Sequence, residues 1–267
     1  MIVIRSCSGF DEFEACVQLQ IETWGYDLSD VIPRKAFRVA EKIGGQIIGA
    51  FDTDLPGAAP QGGPESMIGF AMSLPGVKAG IPGRCEPQPY LHSHMLAMRP
   101  PYRNRGLGAQ LKLAQRHEAL SRGIRHMEWT FDPLEIRNAH LNIHKLGAVV
   151  RSYYMDFYGV SSSRLQGGLP TDRLVAEWHL DSPRVTAILE GRPRAAYSIE
   201  ERILVPAAIY EWKASDADRE RAIAVQSENR LKFQQAFARG LAVLGFTRDA
   251  EGNGVFELGL PTQTELD

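Results

Sequence analysis

The stretch HSHMLAMRPPYRNRGLGAQL, residues 92–111, reads as the end of a strand, a basic turn and the start of a helix. The strand is expected over residues 90–98 and the helix over 107–122, where Gly123 closes it. Between them RNRGLG, residues 103–108, gathers the amides that open the helix, and these have no partner inside it. Such a spot binds phosphate. Gly106 and Gly108 remove the Cβ atoms that would hold a pyrophosphate off the backbone, while Arg103 and Arg105 add positive charge. The loop is not a Walker A loop, because the Gly-Lys-Ser/Thr is missing, and it lacks the Gly-x-Gly-x-x-Gly of dinucleotide folds.

Upstream of this stretch, alternation predicts a short strand at residues 2–5, and helical spacing predicts a helix from about Asp11 that carries Phe13, Val17, Leu19 and Ile21. A second helix is expected over 33–41, then strands at 46–51 and 67–74 joined by the Pro/Gly-rich loop 52–66 as a hairpin with a long tip. Downstream come a strand at 126–131, a helix at 138–146 closed by Gly147, and strands at 148–159 and 174–180. A connector at 181–195 holds a short helix that starts at Ser182-Pro183 and stops at Gly191. Beyond it lie a strand at 199–205, a long helix at 215–244 with Ser215 as its cap, and a hairpin in 245–260. The helix carries Ile223, Val225, Leu231, Phe233, Phe237, Leu241 and Leu244, an apolar set to dock on the main sheet or on a second subunit of a homodimer.

The chain of 267 residues is 44% hydrophobic, enough for one substantial core and a smaller one. Its formal charge of -2 gives no global attraction to nucleic acid or to an anionic membrane, so any anion must be recognised locally. Cys7, Cys16 and Cys85 form no CxxC pair and are odd in number, which argues against a disulfide framework and for a reducing interior. No run of about 18 apolar residues is present, and a soluble, cytoplasmic protein is expected.

The order strand, R-x-x-G-x-G, helix resembles the acetyl-coenzyme A loop of the GNAT N-acetyltransferase superfamily, and the element order matches over roughly residues 1–180. The resemblance implies an α/β (α+β) fold, a mixed, twisted central sheet flanked by helices, in a domain at 1–182. A smaller C-terminal extension at 183–267 would dock on it. It implies an acyl-coenzyme A co-substrate, no metal, and strands 90–98 and 126–131 splayed around the pantetheine arm. Leu96, Ala97 and Met98 would offer backbone groups to the pantetheine and acyl carbonyl. Arg103, Asn104, Arg105, Gly106, Leu107, Gly108 and Ala109 would cradle the pyrophosphate, with Asn138 as a further coenzyme contact. Glu22, Trp24 and Tyr26 fall where relatives shape the acceptor pocket, and the aromatic pair suits an apolar acceptor; Trp24 as plain core is the competing account.

His92 and His94, two apart on a strand, face one side about 7 Å apart, and can hold a water between them. H-x-H, then LAM, then R-x-x-G-x-G resembles the arylalkylamine branch of that superfamily, which implies a proton path from an amine acceptor. An ammonium cannot attack a thioester, and an imidazole of pKa about 6.5 can take its proton. The simpler alternative packs His94 in the sheet and leaves His92 at its rim. The pattern breaks at the leaving group: Ile143 stands where relatives place a tyrosine, and His144, Tyr153, Tyr154 and Tyr158 are nearby.

The expected activity is therefore transfer of acetyl to the primary amine of a small molecule. Succinyl or other acyl transfer to an amino acid is the alternative, with Arg84 and Arg99 available to a carboxylate. HLNIH at 140–144 lacks the Glu and third ligand of a zinc site, and no G-x-S-x-G elbow exists. A non-catalytic acyl-coenzyme A sensor or assembly module is the reading from another class.

Overall fold

A computed structural model describes residues 1–78, 87–194 and 196–262, so Arg84 and Cys85 lie outside the described residues. The chain divides into two compact units, Met1–Met127 and Glu128–Asp267. The first holds β1 (Ile2–Ser6), α1 (Gly9–Trp24), α2 (Arg34–Lys42), β2 (Gln46–Asp52), β3 (Met67–Lys78), β4 (Gln88–Met98) and α3 (Leu107–Ser121). Its strands run antiparallel in the order β1-β2-β3-β4.

Apolar residues three apart, Phe13, Cys16 and Leu19, give α1 one buried face. With Phe37 of α2 they cover one side of the sheet at Phe51, Phe70, Met72 and Met95. Leu107 and Leu111 of α3 cover the other side at Ile48, Ala50, Ile68 and Ala71. A sheet covered on both sides needs strands apolar in both directions, and six of the seven residues of β2 are buried. Gly25 ends α1 in the left-handed region at φ 67°, its amide bonded to Ile21 O.

The second unit holds most of β5 (His126–Phe131), α4 (Ile136–Ala139) continued by a π-helical turn (His140–Lys145), β6 (Val149–Tyr154), β7 (Arg173–His179) and α5 (Pro183–Leu189). β8 (Glu201–Val205), α6 (Ile209–Ala214), α7 (Arg219–Ala238), β9 (Ala242–Arg248) and β10 (Gly254–Gly259) follow. The strand order is β5-β7-β6-β9-β10-β8. Val150 of β6 pairs with Val243 of β9, so the C-terminal strands extend the sheet that β5, β7 and β6 begin. The position 182/183 lies inside this unit, where Ser182 caps α5 through Oγ and the Val185 amide.

The helix expected over 215–244 is shorter and is preceded by α6, which the sequence reading misses. Gly240 at φ 82° gives its amide to Phe237 O, and Leu241 gives its amide to Ala236 O, a Schellman ending that frees Leu241 and Leu244 to enter a strand. The buried stripe of α7 is Ala222, Gln226, Asn229, Phe233 and Ala236, while Ile223 and Leu231 are exposed. Gln226 and Asn229 are tolerated there because their amides bond Pro170 O and Leu204 O. The strand expected over 148–159 stops at Tyr154, two residues before Asp156 takes φ 43°. No helix among the described residues is long and apolar enough to cross a membrane.

Candidate functional site

The turn after β4 is held at both ends. Arg99 gives its amide to Ile68 O, Tyr102 gives its hydroxyl to Asp52 Oδ2 at 2.7 Å, and Leu107 is buried. Between these anchors Asn104 (φ 60°) and Gly106 (φ 79°) take left-handed conformations, and residues 104–106 are exposed. Around the place of a Cβ on Gly106 nothing lies within 4 Å, so the turn faces open space. The bond from Gln110 N to Gly106 O at 3.2 Å begins the ladder of α3. The amides of Leu107, Gly108 and Ala109 therefore open the helix without a partner inside it, as the first amides of any α-helix do. Arg103 also braces the turn, since its Nε gives a hydrogen bond to Met98 O at 2.9 Å and ties the turn to the end of β4. Arg105 lies over the Tyr102 ring at 5.5 Å.

β4 does not follow simple alternation. Met72 of β3 pairs with Met95, but Ser73 pairs with Ser93, so His94 is an extra residue, a β-bulge. The bulge reverses which face each half of the strand presents. His92 pairs with Leu74, and Leu74 packs on the α1/α2 core. Leu96 and Met98 join the opposite core, under α3. Strict alternation would put His92, His94, Leu96 and Met98 on one side, and the bulge separates them. The two imidazoles remain neighbours, ring centres 6.1 Å apart and inclined by 41°. Burial pushes the His94 pKa below the usual 6.5, which leaves the ring neutral near pH 7.

On the α3 side of the bulge sits a buried polar network. Lys112 Nζ gives a hydrogen bond to Ser93 Oγ at 2.7 Å, and Ser93 Oγ gives one to Gln115 Oε1 at 3.0 Å. Ser73 Oγ bonds Gln46 Oε1 at 2.9 Å, and Gln46 Nε2 bonds Gln115 O at 2.8 Å and the Glu118 carboxylate. Lys112 is 3% exposed, and burial holds its pKa well below the ordinary lysine value. Sequence reasoning misses this cluster. Its only trace is Lys112 and Gln115, polar and three apart, beside the apolar stripe of Leu107 and Leu111.

Trp24 and Tyr26 stack, centres 5.3 Å apart, and pack half-buried on the α1/α2 core, as the plain-core account of Trp24 expects. Glu22 forms an ion pair with Arg99, 3.2 Å from Oε2 to Nε, so Arg99 already faces a carboxylate. Beyond them a hollow of about 480 Å³ is walled by Val31, Ile32, Ala36, Val39, Ile43 and Leu74. Leu74 is the cross-strand partner of His92, and Val39 and Ile43 are more than half exposed on α2.

In the second unit Asn138 is exposed on α4, while Ile143 is fully buried. His140 and His144 stack at 4.6 Å rather than converge on one point, and no group of three metal-ligating side chains occurs among the described residues. Burial and the nearby His144, Arg248, Lys145 and Arg194 push the His140 pKa down to about 4. Tyr153 gives its hydroxyl to Asp172 at 2.5 Å and stacks on Phe233, which is a structural role. Tyr154 is exposed, and the Tyr158 hydroxyl meets Thr130 Oγ1 at 2.8 Å.

No protein-family model and no curated protein matches the sequence. Solved structures do match by shape. One is Arabidopsis thaliana NAA60 in complex with acetyl-CoA, 14% identical, covering 67% of this chain and 99% of that one, TM-score 0.51. The same protein with a bisubstrate analogue is 15% identical, covers 67% and 98%, and has a TM-score of 0.50. FeeM, an N-acyl amino acid synthase from uncultured soil microbes, is 15% identical, covers 67% and 91%, and has a TM-score of 0.47. At such identities the likeness is one of fold.

Proposed function

The chain has the fold of the GNAT N-acetyltransferases, and from that premise we propose that it is an acyl-coenzyme A-dependent N-acyltransferase acting on the primary amine of a small molecule. The observation that carries the reading is the turn at 104–109. Left-handed Asn104 and Gly106, open space at the Gly106 Cβ position and three helix-opening amides make a cradle that fits a pyrophosphate and that a side chain would fill.

When bound, acetyl-coenzyme A supplies an activated acyl thioester. The amides of Leu107, Gly108 and Ala109 hold its pyrophosphate, Arg105 adds charge, and Arg103 keeps the turn against β4. His94, neutral by burial, takes the proton of the acceptor ammonium, with His92 beside it as the outlet towards water. The apolar hollow next to Leu74 receives the body of the acceptor, with Trp24 and Tyr26 on the same core. Glu22 holds Arg99, which favours acetyl over succinyl: a second carboxylate would have to displace that partner.

Thiol release from acetyl-coenzyme A across a panel of alkyl and aryl amines and amino acids tests the reading, with succinyl-coenzyme A in parallel. Release with amines carries it; release with amino acids from the succinyl donor moves it to the alternative. A second reading, a binder without turnover, is favoured by Ile143 in the sequence position where the resemblance expects the tyrosine that protonates a leaving thiolate. Tight coenzyme binding with no thiol release on any acceptor selects that reading.

A further inference from the structure

The π-helical turn His140–Lys145 gathers positive charge on one face. Leu146 gives its amide to Leu141 O, a step of five residues, so His144 and Lys145 both follow His140 across a single turn. The two imidazoles stack there, 4.6 Å between centres. Two arginines of the same unit join them. Arg194 gives a hydrogen bond from Nη2 to His144 O, while β9 packs on the turn with the His144 ring bonded to the Phe246 backbone. Arg248 lies two residues beyond Phe246, on the same side of β9, and its charge reaches His140. Among the described residues no ion pair joins Lys145, Arg194 or Arg248 to a carboxylate. Acids of the neighbouring elements are engaged elsewhere. Glu257, whose charge Arg194 feels, accepts from the Tyr197 hydroxyl at 2.7 Å; Glu135 pairs with Lys213 at 3.1 Å, and Asp249 accepts from Asn253 Nδ2 at 2.8 Å. His140 Nδ1 is enclosed without a partner, and a proton there would be a buried donor lacking an acceptor. The neutral ring therefore carries its proton on Nε2, as a donor for an incoming acceptor.

We propose that His140, Lys145, Arg194 and Arg248 form a binding site for a phosphate group, built from other residues than the turn at 104–109. Guanidinium forks match phosphate oxygens in pairs, and a dianion offsets the mutual repulsion of three fixed cations. The anion is held by side-chain cations and an imidazole N–H rather than by backbone amides. The site is independent of the acyltransfer reading. Free phosphate and the phosphates of coenzyme A are two sources of the same chemistry, and each has its arm below.

Histidine-selective NMR of the whole chain reads the His140 and His144 ring signals at pH 7 as inorganic phosphate is added. Sodium chloride at matched ionic strength is the control for screening. Two or three charge-assisted hydrogen bonds correspond to a dissociation constant of about 1 mM, so both signals should move and saturate with phosphate and stay in place with chloride. At saturating phosphate the His140 midpoint should rise from about 4 by at least about one unit, because a bound anion favours the protonated ring. Arg248→Ala and Lys145→Ala each remove an exposed side chain, so the melting temperature should not change. Each should weaken phosphate about 10-fold, the loss of one charge-assisted hydrogen bond, and raise the phosphate-free His140 midpoint, since a neighbouring cation is gone. Coenzyme A replaces phosphate in the second arm. The same movement at lower concentration, lost in Arg248→Ala, makes the coenzyme the source; movement with phosphate alone makes it free phosphate, and both support the site. Equal movement in chloride and phosphate, or phosphate binding that neither variant weakens, overturns it.

Discussion

Two histidine pairs, one in each unit, show how differently the same residues are used. His92 and His94 lie at a bulge beside an open apolar hollow, while His140 and His144 stack face to face among Arg194, Lys145 and Arg248. The contrast extends to the charged groups around them. In the first unit the turn at 104–109 presents helix-opening amides to open space. In the second, buried polar groups close on each other: Lys213 pairs with Asp132 and Glu135, and Asp172 takes Tyr153 and Arg230. Polar groups satisfied internally stabilise a fold, and those aimed at open space are available to a ligand. Substitutions at the first unit's site should therefore change function with little loss of stability, and those in the second unit's clusters should do the reverse.

The largest effect is expected at the cradle. Gly106→Val places a β-branched residue at φ 79°, where only glycine is relaxed, and its side chain would occupy the proposed anion position. Calorimetry should find coenzyme affinity lowered at least about 1000-fold, or about 4 kcal/mol. The stability loss stays near the about 1–2 kcal/mol of one left-handed residue. Lys213→Met should produce the opposite pattern. Lys213 is 6% exposed, and its removal leaves two carboxylates without their cation, so urea unfolding should show a loss of about 3 kcal/mol with coenzyme affinity unchanged below the transition.

His94→Gln comes next, with a kcat about 100-fold lower and unaltered coenzyme affinity. A base works deprotonated, so the native rate should rise with pH through a midpoint below 6.5 and be flat above it; in the variant that limb disappears. A variant profile that keeps the limb would place the base elsewhere. The smallest effect is expected at His140. Its folded pKa of about 4 lies below the unfolded value of about 6.5, so the unfolded chain binds the proton first. The stability it contributes is present above pH 6.5 and is lost as pH falls towards 4. The ring is partly exposed and screened, so His140→Gln should flatten the acid slope of stability by about 1 kcal/mol or less.

Much of this contrast is absent from residue spacing. H-x-H and H-x3-H both read as paired histidines on one face, and only the bulge and the π-helical turn separate them. Spacing puts Ile223, Leu231 and Phe233 in the apolar set of α7, yet of these three only Phe233 is buried, and Gln226 and Asn229 join it because their amides bond the carbonyls of Pro170 and Leu204. Hydrogen-bond partners distant in sequence leave no periodic mark. Glu22 and Arg99 are likewise visible one by one, but their ion pair is not.

The sequence by itself determined what is local. Gly106 and Asn104 bend the turn, Leu107 and Leu111 set the face of α3, Ser182-Pro183 starts α5, and Gly240 ends α7, each through backbone preference or spacing within a few residues. Apart from α6, the order of strands and helices follows from such signals, and so does the bent turn at 104–106. Tertiary structure alone decided the register of β3 against β4, the continuation of β6 into β9, and the enclosure of Lys112 with Ser93, Gln115 and Gln46. A one-residue offset is nearly invisible to local preference but reverses every side chain beyond it, so buried partners contributed by other elements choose it.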